Sequence, residues 1–141
     1  MGMVFDQRSL TLDGATAVLD GARRRAVELG VPVCLAVADP AGTLLAFARM
    51  DGAARLSIAL AQDKAYTVAA FGLPTSEWYP MIANDPALLH GIVKADRLMI
   101  FPGGVPVRLD GVTVGAVGVS GGTAAQDDEI AAAGAAALAA A

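Results

Sequence analysis

The chain has 141 residues, enough for one domain with a hydrophobic core, and 55% of its residues are hydrophobic. A net charge of −4 with scattered basic residues disfavours nucleic-acid binding, and no apolar run is long enough to cross a bilayer. A single cysteine excludes an internal disulfide, and because the start lacks the pattern of a secretory signal, we expect a cytoplasmic protein.

The first half of the chain predicts a helix, a β-hairpin and a second helix. Apolar residues recur at helical spacing over 12–29, where Thr11 can cap the start and Gly30 can end the helix. Two apolar runs then flank the turn sequence Asp39-Pro40-Ala41-Gly42, which predicts a hairpin. The following segment, 54–72, predicts a long helix that ends at its final glycine.

The second half predicts a loop, a third strand, a second hairpin and a last helix. Three prolines make residues 73–95 irregular, with short helical turns, and the apolar run 98–101 predicts a strand. Asp110-Gly111 is a strong hairpin signal, and Thr123 can cap the last helix. Because strands and helices do not alternate as in βαβ units, we expect one α+β domain over residues 1–141, with an antiparallel sheet of about five strands.

The segment 101–122 contains seven glycines in 22 positions. No glycine is followed by lysine, which excludes a Walker loop, and the glycines lie within or at the end of a strand, which disfavours a dinucleotide-binding loop. Glycines inside a strand, at 115 and 118, indicate close approach by another backbone or a ligand. We expect mainly bends and tight packing, and the alternative is a ligand-facing role for Gly103, Gly104, Gly121 and Gly122.

Three longer motifs carry a family resemblance. They are MDGAARLSIALAQDKAYTVAAFGLPT (50–75), FPGGVPVRLDGVTVGAVGVSGGT (101–123) and QDDEIAAAGAAAL (126–138). In this order and spacing they resemble the GlcG/HbpS family, which also includes the C-terminal domain of some PduO-type proteins. The resemblance implies a profilin-like fold with a central antiparallel sheet, and homo-oligomers. Some members resemble haem-binding or haem-degrading sensors, so the resemblance implies haem as a possible ligand but no mechanism.

Lys64 lies in the middle of a mostly apolar stripe of the predicted helix 54–72. Its ammonium must reach an acid, a carbonyl, solvent or a ligand. A structural ion pair with Asp39, Asp51 or Asp127 is one interpretation. The alternatives are a pocket cation that binds an organic carboxylate or a haem propionate, and a desolvated catalytic lysine. Ser57 is two turns away, too far to form a Ser-Lys dyad with it.

Further candidates for ligand binding lie outside this helix. Arg49 and Asp51 lie at the end of the second strand, where Arg49 could bind a carboxylate bidentately or simply remain solvated. His90, the only histidine, could be an axial ligand of haem iron or an ordinary surface residue. The PduO-like members place a candidate haem histidine near the N-terminal helix, where this chain has none. Cys34 and Tyr66 are poorer candidates for the iron.

The sequence therefore predicts a small-molecule-binding homo-oligomer whose ligand is haem or an organic anion. Alanine supplies much of the apolar content, which favours close packing between subunits. One alternative is a lyase, isomerase or hydrolase in which Lys64 and Arg49 polarise a small metabolite, and the other is a non-catalytic accessory protein. No metal site is expected. The predicted ligand-binding residues are Arg49, Asp51, Ser57, Lys64, Gly103, Gly104, Gly121 and Gly122.

Overall fold

Residues 2–141, which the computed structural model describes, fold into five α-helices and one antiparallel sheet of four strands. The helices are α1 (Leu12–Leu29), α2 (Leu56–Phe71), α3 (Trp78–Ile82), α4 (Pro86–Ile92) and α5 (Ala124–Ala140). The strands are β1 (Cys34–Ala38), β2 (Leu44–Arg49), β3 (Gly104–Leu109) and β4 (Val112–Ser120). The predicted α+β class with an antiparallel sheet is confirmed.

The two hairpins pair through their inner strands, so that the sheet has the order β2-β1-β4-β3. Side chains of β1 alternate between the two faces of the sheet, as the period of a strand requires. Leu35 and Val37 join the hydrophobic core formed with α1 and α5, whereas Cys34 and Ala36 face α2. Both faces of the sheet are therefore covered by helices, and every residue of β1 is buried.

The predicted helix ends are confirmed. The Thr11 side chain accepts a hydrogen bond from the Gly14 backbone at the start of α1, and Gly30 ends this helix in the left-handed conformation. Thr123 and Gln126 form a reciprocal capping box at the start of α5. None of the five helices in the described part of the chain is long and apolar enough to cross a membrane.

The expectation of about five strands is wrong, because residues 98–101 lie in a loop. The Thr67 hydroxyl of α2 accepts a hydrogen bond from the Met99 N–H at 2.9 Å and lies 2.9 Å from the Arg97 carbonyl oxygen. Backbone groups of this segment therefore form hydrogen bonds with a helix side chain instead of pairing with a neighbouring strand.

Helix α2 packs directly on β4 at Gly118. A Cβ atom at this position would overlap the Ala61 carbonyl and lie 2.6 Å from the Ala65 nitrogen. The glycine therefore permits the close approach that its position within a strand predicted. This packing brings Lys64 of α2 to the end of β4.

Candidate functional site

Lys64 lies in a buried polar cluster where α2, the end of β4 and the start of α5 meet. Its Nζ atom donates to the Val119 carbonyl at 2.8 Å and to Asp127 Oδ2 at 3.3 Å. The ammonium also lies over the Phe101 ring, 4.8 Å from the ring centre. The side chain is fully buried, so two acceptors and an aromatic face replace the water that it loses. Of the three predicted acid partners, Asp127 is the one that the structure shows.

Asp127 joins this cluster to the first turn of α5. The residue is 3% exposed, and its Oδ1 atom accepts a hydrogen bond from the Gly122 N–H at 2.8 Å. The other oxygen accepts from Lys64, so both carboxylate oxygens have partners. The Gly122 N–H thus binds an anion that belongs to the protein itself, the Asp127 carboxylate.

Burial lowers the pKa of Lys64 below the ordinary lysine value, and the nearby carboxylates of Asp127 and Asp128 offset this effect only in part. We expect the Nζ and Cε resonances of Lys64 to titrate below the ordinary lysine pKa when followed by NMR. Because the folded chain then loses this proton before the unfolded chain does, the contribution of Lys64 to the free energy of unfolding rises with pH between the two pKa values. A midpoint at or above the ordinary value contradicts this prediction.

The predicted glycines lie at this cluster or directly beside it in the chain, and Ser57 lies next to Gly121. A Cβ atom on Gly103 would lie 2.6 Å from Lys64 Nζ, and one on Gly104 would lie 2.8 Å from the Lys64 carbonyl oxygen. The Gly104 N–H donates to the Thr75 hydroxyl at 2.9 Å. A Cβ atom on Gly121 would lie 3.4 Å from the Oγ atom of buried Ser57. These contacts are internal, and a role of these residues toward a ligand stays a prediction.

Arg49 and Asp51 lie elsewhere. With Arg23 and Met50 they line a separate surface groove of about 360 Å³. Within residues 2–141, no hydrogen bond or ion pair joins Arg49 or Asp51 to Lys64. The structure therefore divides the predicted ligand-binding residues into a buried cluster and an exposed groove.

The candidate iron ligands differ in accessibility. His90 is exposed in the last turn of α4. Cys34 is fully buried, and burial raises the pKa of its thiol above the ordinary value, which disfavours the thiolate form that binds metals. In the part of the chain that the structure describes, no group of three or more His, Cys, Asp and Glu side chains is placed to hold a metal ion.

A groove on the outer side of α2 contains Arg97, which the sequence analysis did not single out. Arg97 Nε donates to Asp63 Oδ1 at 2.9 Å, and the guanidinium lies over the Tyr66 ring. Helical spacing places Asp63 and Tyr66 on the side of α2 away from Lys64. Arg97 follows an irregular segment without periodicity, so no sequence signal linked it to that side.

Comparison with known proteins relates this chain to haem proteins. A family model described as "Haem degrading protein HbpS-like" matches residues 10–136. Protein GlcG of Escherichia coli K12 is 42% identical over 106 residues, which cover 75% of this chain and 77% of GlcG.

Solved structures extend the similarity to nearly the whole chain. Klebsiella pneumoniae protein ORFY superposes with a TM-score of 0.92 at 30% identity, covering 100% of this chain and 98% of ORFY. A crystal structure of a PduOC complex with haem superposes with a TM-score of 0.83 at 32% identity, covering 92% and 94% of the two chains.

Proposed function

The chain belongs to the HbpS-like family, and we propose that it binds a small molecule, haem, on the surface formed by α3, α4 and residues 93–94. The similarity to the PduOC–haem complex over 92% of the chain supports haem as the ligand. The location at His90 rests instead on the side chains of this chain, because it lacks a histidine near its N-terminal helix. We also propose that the fold is profilin-like and that the protein is cytoplasmic.

The side chains around His90 suit the chemical groups of haem. The iron takes an axial nitrogen ligand, the porphyrin needs apolar contacts, and the propionates favour a cation. His90 is exposed, and Val93 and Lys94 follow it at the three- and four-residue spacing that places side chains on one side of a helical turn. Val93 is exposed and apolar, and Lys94 supplies the cation. Helix α3, which contacts α4, adds exposed Met81.

The buried cluster suits haem less well. The Lys64 ammonium already has two acceptors and an aromatic face, so a propionate would have to displace one of them. The same saturation argues against a catalytic Lys64, because its charge is held by the protein. Arg49 lies in another groove, so the two cations do not converge on one substrate. These observations favour binding over catalysis.

We propose that the protein forms a homo-oligomer, in which a second protomer covers the part of the haem that one protomer leaves exposed to solvent. Large apolar side chains that remain exposed in the protomer support this proposal, because such surface favours association. Those on the segment that includes the proposed haem surface are Phe71, Tyr79, Met81, Leu88, Val93 and Phe101.

Titration of the purified apo-protein with haemin tests the proposed function. We expect a saturable Soret shift with one haem per chain, and loss of that shift in His90→Gly because the iron loses its axial nitrogen. Added imidazole should restore the spectrum of His90→Gly. Asn84→Ala, which changes an exposed residue in the turn between α3 and α4, should bind haem like the wild type. An unchanged shift in His90→Gly, or no shift in the wild type, contradicts the proposal.

A further inference from the structure

The groove on the outer side of α2 has a volume of about 540 Å³, larger than the groove at Arg49. It lies between the β1–β2 turn and one side of α2, and Arg97 closes one wall. Its polar and charged lining residues offer both hydrogen-bond donors and acceptors. The lining residues include Leu44, Ala59, Gln62, Asp63, Tyr66 and Arg97.

Two contacts fix the plane of the Arg97 guanidinium. Its Nε atom donates to Asp63 Oδ1 at 2.9 Å, and its central carbon lies 4.2 Å from the centre of the Tyr66 ring. Within residues 2–141, its two terminal amino groups donate no hydrogen bond to protein. Asp63 and the Tyr66 ring thus orient the guanidinium through its Nε atom and its planar face. The two terminal amino groups remain available to donate to a ligand.

The backbone at Arg97 is held in a costly conformation. Its φ of 63° lies in the left-handed region, which residues other than glycine seldom adopt. The Thr67 hydroxyl holds the backbone directly after this strained residue, because it lies 2.9 Å from the Arg97 carbonyl oxygen and accepts from the Met99 N–H. Backbone strain that neighbours maintain in this way clusters at ligand-binding positions.

An ordinary surface ion pair explains only part of this arrangement. Such a pair accounts for the contact between Arg97 and Asp63, which contributes little to stability on an exposed surface. It requires neither the left-handed backbone nor the ring beneath the guanidinium. Both features fix the direction of the terminal amino groups, which suits recognition of a ligand.

We propose that this groove binds a small organic carboxylate, whose two oxygens accept hydrogen bonds from the terminal amino groups of Arg97. A planar guanidinium matches a carboxylate in this bidentate manner. Gln62 Nε2 donates to the Ile58 carbonyl, which leaves its Oε1 atom as an acceptor for a ligand hydroxyl. Leu44 and Ala59 provide apolar contact for a short aliphatic chain. This site is separate from the His90 surface, and haem binding can fail without affecting it.

Titration of the uniformly ¹⁵N-labelled protein with sodium lactate tests this site by NMR. We expect saturable shifts of the Gly42 and Thr43 amides and of Arg97 Nε, with a dissociation constant in the millimolar range or below. Arg97→Lys should weaken binding by about tenfold or more, because lysine keeps the charge but loses the bidentate fork. Arg108→Lys makes the same change at an exposed arginine of β3 and should bind like the wild type.

Nuclear Overhauser effects in the wild type locate lactate without any substitution, so the test stands even if Arg97→Lys unfolds. We expect contacts from the lactate methyl group to Leu44 and Ala59. Contacts to Arg49 and Met50 instead, equal affinity in Arg97→Lys, or no saturable shift would each overturn the proposal. Equal or tighter binding of inorganic phosphate at the same ionic strength would replace it with a site for any small anion.

Discussion

Replacing Lys64 with methionine lowers the free energy of unfolding by about 3–5 kcal/mol, the range for breaking one partner of a buried ion pair. The substitution leaves the buried Asp127 carboxylate with only the Gly122 N–H as a partner. It also removes the donor to the Val119 carbonyl. Chemical denaturation of wild type and variant at neutral pH measures the loss.

Two further variants separate this effect from a general loss of packing. Lys94→Met removes an exposed lysine and should change stability by less than about 0.5 kcal/mol. The double variant Lys64→Met/Asp127→Leu should recover part of the loss, because no buried charge remains without its partner. If Lys64→Met lowers the free energy of unfolding by less than about 1 kcal/mol, Lys64 and Asp127 do not form a buried ion pair.

Gly118→Ala should cost more than about 4 kcal/mol or prevent folding, since overpacking against immovable atoms is among the most severe substitutions. The added methyl group meets backbone atoms of Ala61 and Ala65, which cannot turn aside as a side chain can. Relief requires α2 to move away from β4, and that movement also separates Lys64 from Val119. Thermal and chemical unfolding measure the effect.

Gly91→Ala is the matched control for this substitution. A methyl group at Gly91 of α4 meets nothing within 4 Å, and alanine favours a helix over glycine by up to about 1 kcal/mol. We therefore expect Gly91→Ala to be neutral or stabilising. A Gly118→Ala variant as stable as the wild type would contradict the close packing of α2 on β4.

Local signals made the helices and hairpins predictable. Thr11, Gly30 and Thr123 mark helix ends through hydrogen bonds that span only a few residues, and Asp110-Gly111 specifies a hairpin in the same local way. The failed strand at 98–101 depends instead on Thr67, about thirty residues earlier in the chain. A tertiary hydrogen bond of this kind leaves no periodic pattern in the segment that it fixes.

In the candidate site, too, local sequence predicted some features and tertiary contacts decided the others. Helical spacing placed Lys64 on a buried stripe, but three acids were possible partners until the fold brought Asp127 to it across 63 positions. The strain and orientation of Arg97 likewise arise from contacts with α2, and its surrounding sequence has no helical or strand period. Side chains of irregular segments acquire their roles from the elements they contact, so sequence patterns alone did not identify this groove. That residues 1–141 form one domain stays a prediction.

A crystal structure of the protein grown with haemin shows whether His90 binds the haem iron. We expect porphyrin density against α3 and α4, with the iron bound by a His90 nitrogen and a propionate near Lys94. In the same crystal, Lys64 should remain bonded to Val119 and Asp127. Porphyrin density at the Lys64 cluster, or crystals of folded protein that contain no haem, would contradict haem binding at His90.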